Sequence, residues 1–312
     1  MTAKIRIGTR ASPLARAQAR ELQQRLTAAH PDLAEPGAIA VEAITTTGDR
    51  VGDRPLADIG GKGLFTKEIE QALLAGTIDV AVHSMKDVPT WLPEGLVIAC
   101  LLPREDPRDA LVANGAAAIA DLPAGATVGT ASLRRKAQIL MRRPDLSVEP
   151  LRGNVQTRLR RLAAGEVDAT LLALAGLKRL GLDGEVAPIA LDPSEMLPAV
   201  GQGAIGIECR AADARVRALL EPIDHAPTAV AVRAERALLS ELDGSCRTPI
   251  AALAEFDGDN VLILRALVAK PDGSAAHTTS RRGQAADAAA LGADAGRELR
   301  SLAGPGFLDR EG

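Results

Sequence analysis

IRIGTRASPLARAQA, residues 5–19, and ATVGTASLRRKAQI, residues 126–139, follow one plan. Each runs from a short aliphatic strand through Gly-Thr and Ala-Ser into a helix carrying Arg and Gln. Ser12 suits an N-cap with Pro13 at the first helical position, and Ser132 takes the cap in the second copy. Working outward, AIAVEAI (38–44), TIDVAVH (77–83) and GLVIACLL (95–102) read as further strands beside the first copy. SVEPL (147–151) and DATLLAL (168–174) read as strands beside the second. LFTKEIEQALLAG (64–76) reads as a helix closed by Gly76. Strands alternating with amphipathic helices predict an α/β class, with mostly parallel sheets covered by helices.

Two crossings are expected between these units. Composition changes near 103, where PREDPRD carries two prolines, and LPAVGQGAIGIEC (197–209) returns the chain to the first unit. From about 222 the pattern changes again: a helix over 227–242, the strands PIAALAEF and NVLILRALVAK joined by DGD, a PDGS turn, and a helix near 286–303. The expected domains are 1–102 with 204–221, then 103–203, then a small α+β domain over 222–312.

The composition excludes several functions. No run approaches the roughly 18 apolar residues needed to span a membrane, and MTAKIRIGTR has no apolar signal segment. Three well-separated cysteines make a disulfide framework improbable, so a cytoplasmic location is expected. Three Phe, one Trp and no Tyr leave few platforms for stacking bases, so no nucleic-acid partner is expected. The chain is −3 overall, yet residues 130–161 carry nine Lys/Arg against Asp145 and Glu149, leaving −10 on the remainder. A basic patch on an acidic protein points to a compact anion.

Ligands of open α/β sheets lie beyond the carboxyl ends of the strands. Those junctions hold Arg10 and Ser12; Ser84, Lys86 and Asp87; Thr130, Ser132, Arg134 and Arg135; and Arg152 with Arg158. Arg134 and Arg135 fall in the first turn of a helix, where cations are unfavourable. Helix N-termini, capping hydroxyls and guanidinium forks gathered together suit carboxylates or phosphates. Asp87 is a lone carboxylate in these surroundings, fit either for a turn or for stabilising a developing cation. His83 ends an apolar strand and reads as core. No zinc spacing is present, and no metal is expected. GGKGLF (60–65) lacks the phosphate-loop pattern and reads as a mobile segment with Lys62 and Phe65 at its tip. Cys100 and Cys209 read as inert core, whereas Cys246 stands alone in the loop GSCRTP (244–249).

TRASPLA (9–15), GGKGLFTKE (60–68), AVHSMKDVP (81–89), REDPRDA (104–110), VGTASLRR (128–135), LRGNVQTRL (151–159), LAGLKRLG (174–181), LPAVGQGAIGIECR (197–210) and GSCRTPI (244–250) resemble the porphobilinogen deaminase (hydroxymethylbilane synthase) family, in order and over nearly the whole chain. The resemblance implies two doubly wound domains like type-II periplasmic binding proteins plus a small α+β C-terminal domain. It implies a transferase that adds four porphobilinogens head to tail, with loss of ammonia, to a dipyrromethane held by a thioether to Cys246. Hydrolysis then releases hydroxymethylbilane. Asp87 matches the catalytic aspartate. Ser84, Lys86, Thr130, Ser132, Arg134, Arg135, Arg152 and Arg158 match positions that hold cofactor carboxylates or line the cleft. Arg10, Ser12, Phe65 and Arg179 match substrate-side positions, Gln202 lies at a crossing, and Lys62 belongs to a flexible cover. The family's habit implies a monomer. Ser245, Arg247 and Ala131 depart from common family residues without removing a charge or the thiol. The rival reading is a non-enzymatic periplasmic-type binding protein for a small polyanion.

Overall fold

The structure, a computed structural model, describes residues 4–50, 63–242 and 248–307. The chain opens with β1 (Ile5–Arg10), α1 (Pro13–Ala29), β2 (Ile39–Ile44) and the short α2 (Thr47–Arg50). After α3 (Lys67–Leu74) come β3 (Val80–Ser84) and β4 (Leu96–Leu101). A second series follows: β5 (Asp109–Ala113), β6 (Thr127–Gly129), α4 (Leu133–Arg142), β7 (Ser147–Glu149), α5 (Val155–Ala163), β8 (Ala169–Ala173), α6 (Leu174–Arg179), α7 (Asp183–Val186) and β9 (Ile189–Ala190). The chain then forms β10 (Ile205–Arg210) and α8 (Ala214–Leu220). It closes with α9 (Ala226–Glu241), β11 (Ile250–Phe256), β12 (Val261–Ala269), β13 (Ala276–Gln284) and α10 (Ala288–Ala303).

By packing, the chain divides into two compact units, Met1–Glu105 with Ala204–Ala229 and Asp106–Gly203 with Val230–Gly312. The first holds a sheet ordered β2-β1-β3-β10-β4, in which only β10 runs antiparallel to its neighbours. The second holds β7-β6-β8-β5-β9, with β5 the antiparallel member. The two orders are the same arrangement. In each, the antiparallel strand is the one that arrives after a crossing.

Apolar periodicity explains the layering. Ile5, Ile7, Val80 and Val82 face Leu22 and Leu26 of α1, while Ala81 and Ile78 face Ile69 and Leu73 of α3 on the opposite side. In the second sheet, Val128 and Leu171 face Ile139 of α4, while Ala110 and Leu172 face Leu162 of α5 and Leu177 of α6. Both sheets are therefore covered on both faces. The third sheet, β11-β12-β13, is antiparallel and lies in the second unit. One of its faces packs on α9 and α10, and the other on Ala137 and Met141 of α4 and on Leu197.

Candidate functional site

In the first unit, β1 and β3 are parallel neighbours, so their carboxyl ends lie side by side. The turn after β3 is fixed by Met85, which is buried and donates its backbone N–H to Ala204 O at 3.0 Å. Its thioether occupies the space where a Cβ on Gly206 would stand, 2.1 Å from Sδ. Lys86 and Asp87 follow in a single 3₁₀ turn, Met85–Asp87, both half-buried. The Asp87 carboxylate makes no hydrogen bond or ion pair among the described residues.

The neighbours of Asp87 are differently placed. Ser84 is matched to the amide of buried Gln18, accepting at 2.8 Å and donating its one O–H at 3.1 Å. Ser12 caps α1 by accepting from Ala15 N at 3.3 Å. Arg10 is paired with Asp49, and its guanidinium lies 4.2 Å from the centroid of the Phe65 ring. Burial acts to raise the Asp49 carboxyl, but Arg10 and the Thr46 hydrogen bonds hold it below the usual range. Of the glycine-rich run, Phe65 lies among the described residues and Lys62 does not. Phe65 is partly buried, its ring seated where a Gly48 Cβ would stand 2.2 Å from a ring carbon.

The second unit holds the basic junctions. Thr130 is fixed by its N–H to Glu149 O at 2.8 Å, and its hydroxyl oxygen accepts from Ser132 N at 3.2 Å. Ser132 caps α4, accepting from Arg135 N at 3.4 Å, and Asn154 caps α5, accepting from Thr157 N at 2.9 Å. Arg158 donates from Nε to Gly153 O at 2.9 Å, which closes the turn before α5. Arg152 and Arg179 are half-buried.

Arg134 and Arg135 need a correction of emphasis. The sequence suggested that two cations at a helix N-terminus await an external anion. The chain supplies one of its own: Asp109, 0% exposed, at the start of β5. Arg134 reaches it from Nη1 at 2.6 Å and Nη2 at 3.2 Å, and Arg135 from Nε at 3.0 Å and Nη2 at 2.7 Å. Gln202 adds an amide N–H at 3.1 Å and gives another to Pro107 O at 2.7 Å. Burial alone would raise the Asp109 carboxyl, but the two guanidiniums overcome it and hold the group far below its ordinary value. The cluster keeps a net charge of +1.

Sequence reasoning found neither Gln18 nor Asp109. Gln18 had a signal: it shares its place in the repeated plan with Gln138, whose amide is bound to the backbone of Leu197 at 2.8 and 3.0 Å. His83 is core as expected, buried with Nε2 2.9 Å from Glu208. Cys100 and Cys209 are buried free thiols, and burial pushes Cys100 up to about 12. Lys62 and Cys246 lie outside the described residues. Among the described residues no group of His, Cys, Asp and Glu could hold a metal ion, and no helix is long and apolar enough to cross a membrane.

Residues 5–218 match the family model described as porphobilinogen deaminase, dipyromethane cofactor binding domain. Residues 229–301 match porphobilinogen deaminase, C-terminal domain. Relatives include the porphobilinogen deaminase of Paracoccus denitrificans, 59% identical over 98% of this chain and 96% of its own length. That of Nitrobacter winogradskyi is 58% identical, over 97% and 94% respectively. The chloroplastic porphobilinogen deaminase of Oryza sativa is 58% identical, over 98% and 86%.

Proposed function

The chain belongs to the porphobilinogen deaminase family, and on that premise we propose how its residues share the reaction. The enzyme is a hydroxymethylbilane synthase of tetrapyrrole biosynthesis. It joins four porphobilinogens head to tail, loses ammonia at each addition, and releases hydroxymethylbilane by hydrolysis. Its cofactor, dipyrromethane, supplies when bound the terminal ring on which the head-to-tail chain is started.

The donor set suits such a group, whose rings carry acetate and propionate. Arg134, Arg135, Arg152 and Arg158, with the hydroxyls of Thr130 and Ser132, bind carboxylates, and Lys86 adds a further cation. Each guanidinium has five N–H groups. Arg134 and Arg135 each direct three inward, to Asp109, Leu197 O and Leu171 O, which leaves two apiece. Arg10, stacked on Phe65 and tied to Asp49, is a preset fork for the incoming monomer, with Ser12, Arg179 and Gln202 on the substrate side. Lys62, outside the described residues, matches the flexible cover of the family. Cys246 carries the cofactor; a thiol must ionise to react, and burial suppresses this at Cys100 and Cys209.

One observation carries the assignment of Asp87: in the turn that follows β3, its carboxylate has no hydrogen-bonding or ionic partner among the described residues. It holds pyrrole N–H groups, stabilises the cation left when ammonia departs, and moves the proton that the departing amine needs. Asp87→Asn keeps the added mass of the cofactor while turnover falls by roughly 10²- to 10⁴-fold; turnover near wild type would remove Asp87 from this role. Cys246→Ser abolishes the added mass. The enzyme works in the cytoplasm as a monomer; the free thiols of Cys100 and Cys209 suit a reducing compartment, and sedimentation tests the oligomeric state.

A further inference from the structure

The motif REDPRDA (104–110) has no part in the roles above, yet its last carboxylate, Asp109, is wholly buried and heavily hydrogen-bonded. Five N–H donors from Arg134, Arg135 and Gln202 converge on Asp109. We propose that Asp109 is a positioning residue: it presets the two arginines as a rigid receptor and brings the net charge of the three-residue cluster to +1, matched to one carboxylate of the cofactor. The inference rests on the functional reading above.

Three features support it. The first is the cost of the alternative. Arg134 and Arg135 are each 5% exposed and stand in the first turn of α4, where both burial and the helix dipole oppose a cation. Without Asp109 the pair would not remain in place. The second is direction. The inward N–H groups of both forks are fixed by Asp109 and by the carbonyls of Leu197 and Leu171, at 2.8 and 2.7 Å. Planar guanidiniums held at several points leave their remaining N–H groups in set directions, so little freedom is lost on binding. The third is rigidity. Asp109 opens β5, in register with Ala173 of β8, and Gln202 clamps it from the second crossing. The receptor is thus referenced to the sheet and to both crossings, not to a loop.

The test is cofactor loading, followed by intact mass after apo-protein is mixed with porphobilinogen, with thermal unfolding as a check on the fold. Asp109→Asn, nearly the same shape but uncharged, should load about 10- to 100-fold more slowly, the range seen when a supporting partner is removed from a binding group. The porphobilinogen concentration for half-maximal loading should rise more than the limiting rate falls. Asp109→Glu should recover part of the loss. A folded Asp109→Asn protein that loads like wild type overturns the proposal. Should Asp109→Asn fail to fold, Gln202→Leu leaves the carboxylate and both arginines and removes the amide N–H groups given to Asp109 and to Pro107 O. It should load several-fold more slowly, and wild-type loading by that folded variant overturns the proposal equally. A wild-type protein that never gains the cofactor mass overturns both the proposal and the reading beneath it.

Discussion

Only the thiolate of cysteine attacks, so a thiol packed in hydrocarbon is a poor nucleophile. Cys100 and Cys209 lie in the core of the first sheet, 2% and 0% exposed. In Cys246→Ser protein, a disulfide reagent should therefore titrate no thiol under native conditions and two after unfolding. Rapid native labelling would show that the core opens easily or that a buried thiol is reactive. The inert character of both cysteines was legible because each sits in an aliphatic run. Asp109 was not legible: nothing in REDPRDA reveals that a carboxylate meets two arginines 25 and 26 residues onward. Cations at a helix N-terminus are visible in a sequence; the counter-ion that excuses them is a tertiary fact. Arg10 taught the same lesson, since its partner Asp49 and its platform Phe65 come from separate segments.

At the scale of elements, strands with aliphatic runs were readable and polar or short ones were not. β13 is AHTTSRRGQ with alternate exposure at an edge of its sheet, so it shows no apolar alternation. β5 follows two prolines and was passed over as part of the crossing. The helix expected over 64–76 is shorter at its start because Gly63–Lys67 forms a turn, closed by Lys67 N to Gly63 O at 3.0 Å. That helix, α3, carries an acid inward. Burial pushes the Glu70 carboxyl up, and the charge of Glu208 adds in the same direction. The folded protein thus holds this proton more tightly than the unfolded chain, whose glutamates titrate near about 4.3. The contribution to stability is full below that value and is lost as pH rises through the raised folded one. Glu70→Gln should remove the loss. In urea unfolding, the variant should gain on wild type between pH 5 and pH 8, and an unchanged difference would show that Glu70 does not titrate across that range.

At the scale of the whole chain, the repeated stretch revealed two similar units but not how strands are shared out along the sequence. β10 stands between β3 and β4, yet it follows the entire second sheet in sequence. Without it β4 has no strand partner in its sheet. A fragment of residues 1–105 should show no cooperative thermal transition, whereas the same fragment joined by a flexible linker to residues 204–229 should show one. Cooperative melting of the shorter fragment would mean that β10 is dispensable to the first core.

The interposed strand also sets a timetable for biosynthesis. At about 5–20 residues per second, roughly 5–20 s pass at the ribosome between the emergence of β4 and that of β10. Throughout that interval β3 and β4 lack the strand that joins them, and their unpaired backbone invites mispairing with a neighbouring polysome product. Slowing translation within residues 106–203 should lengthen this exposure and raise the insoluble fraction, even though every codon still specifies the same protein.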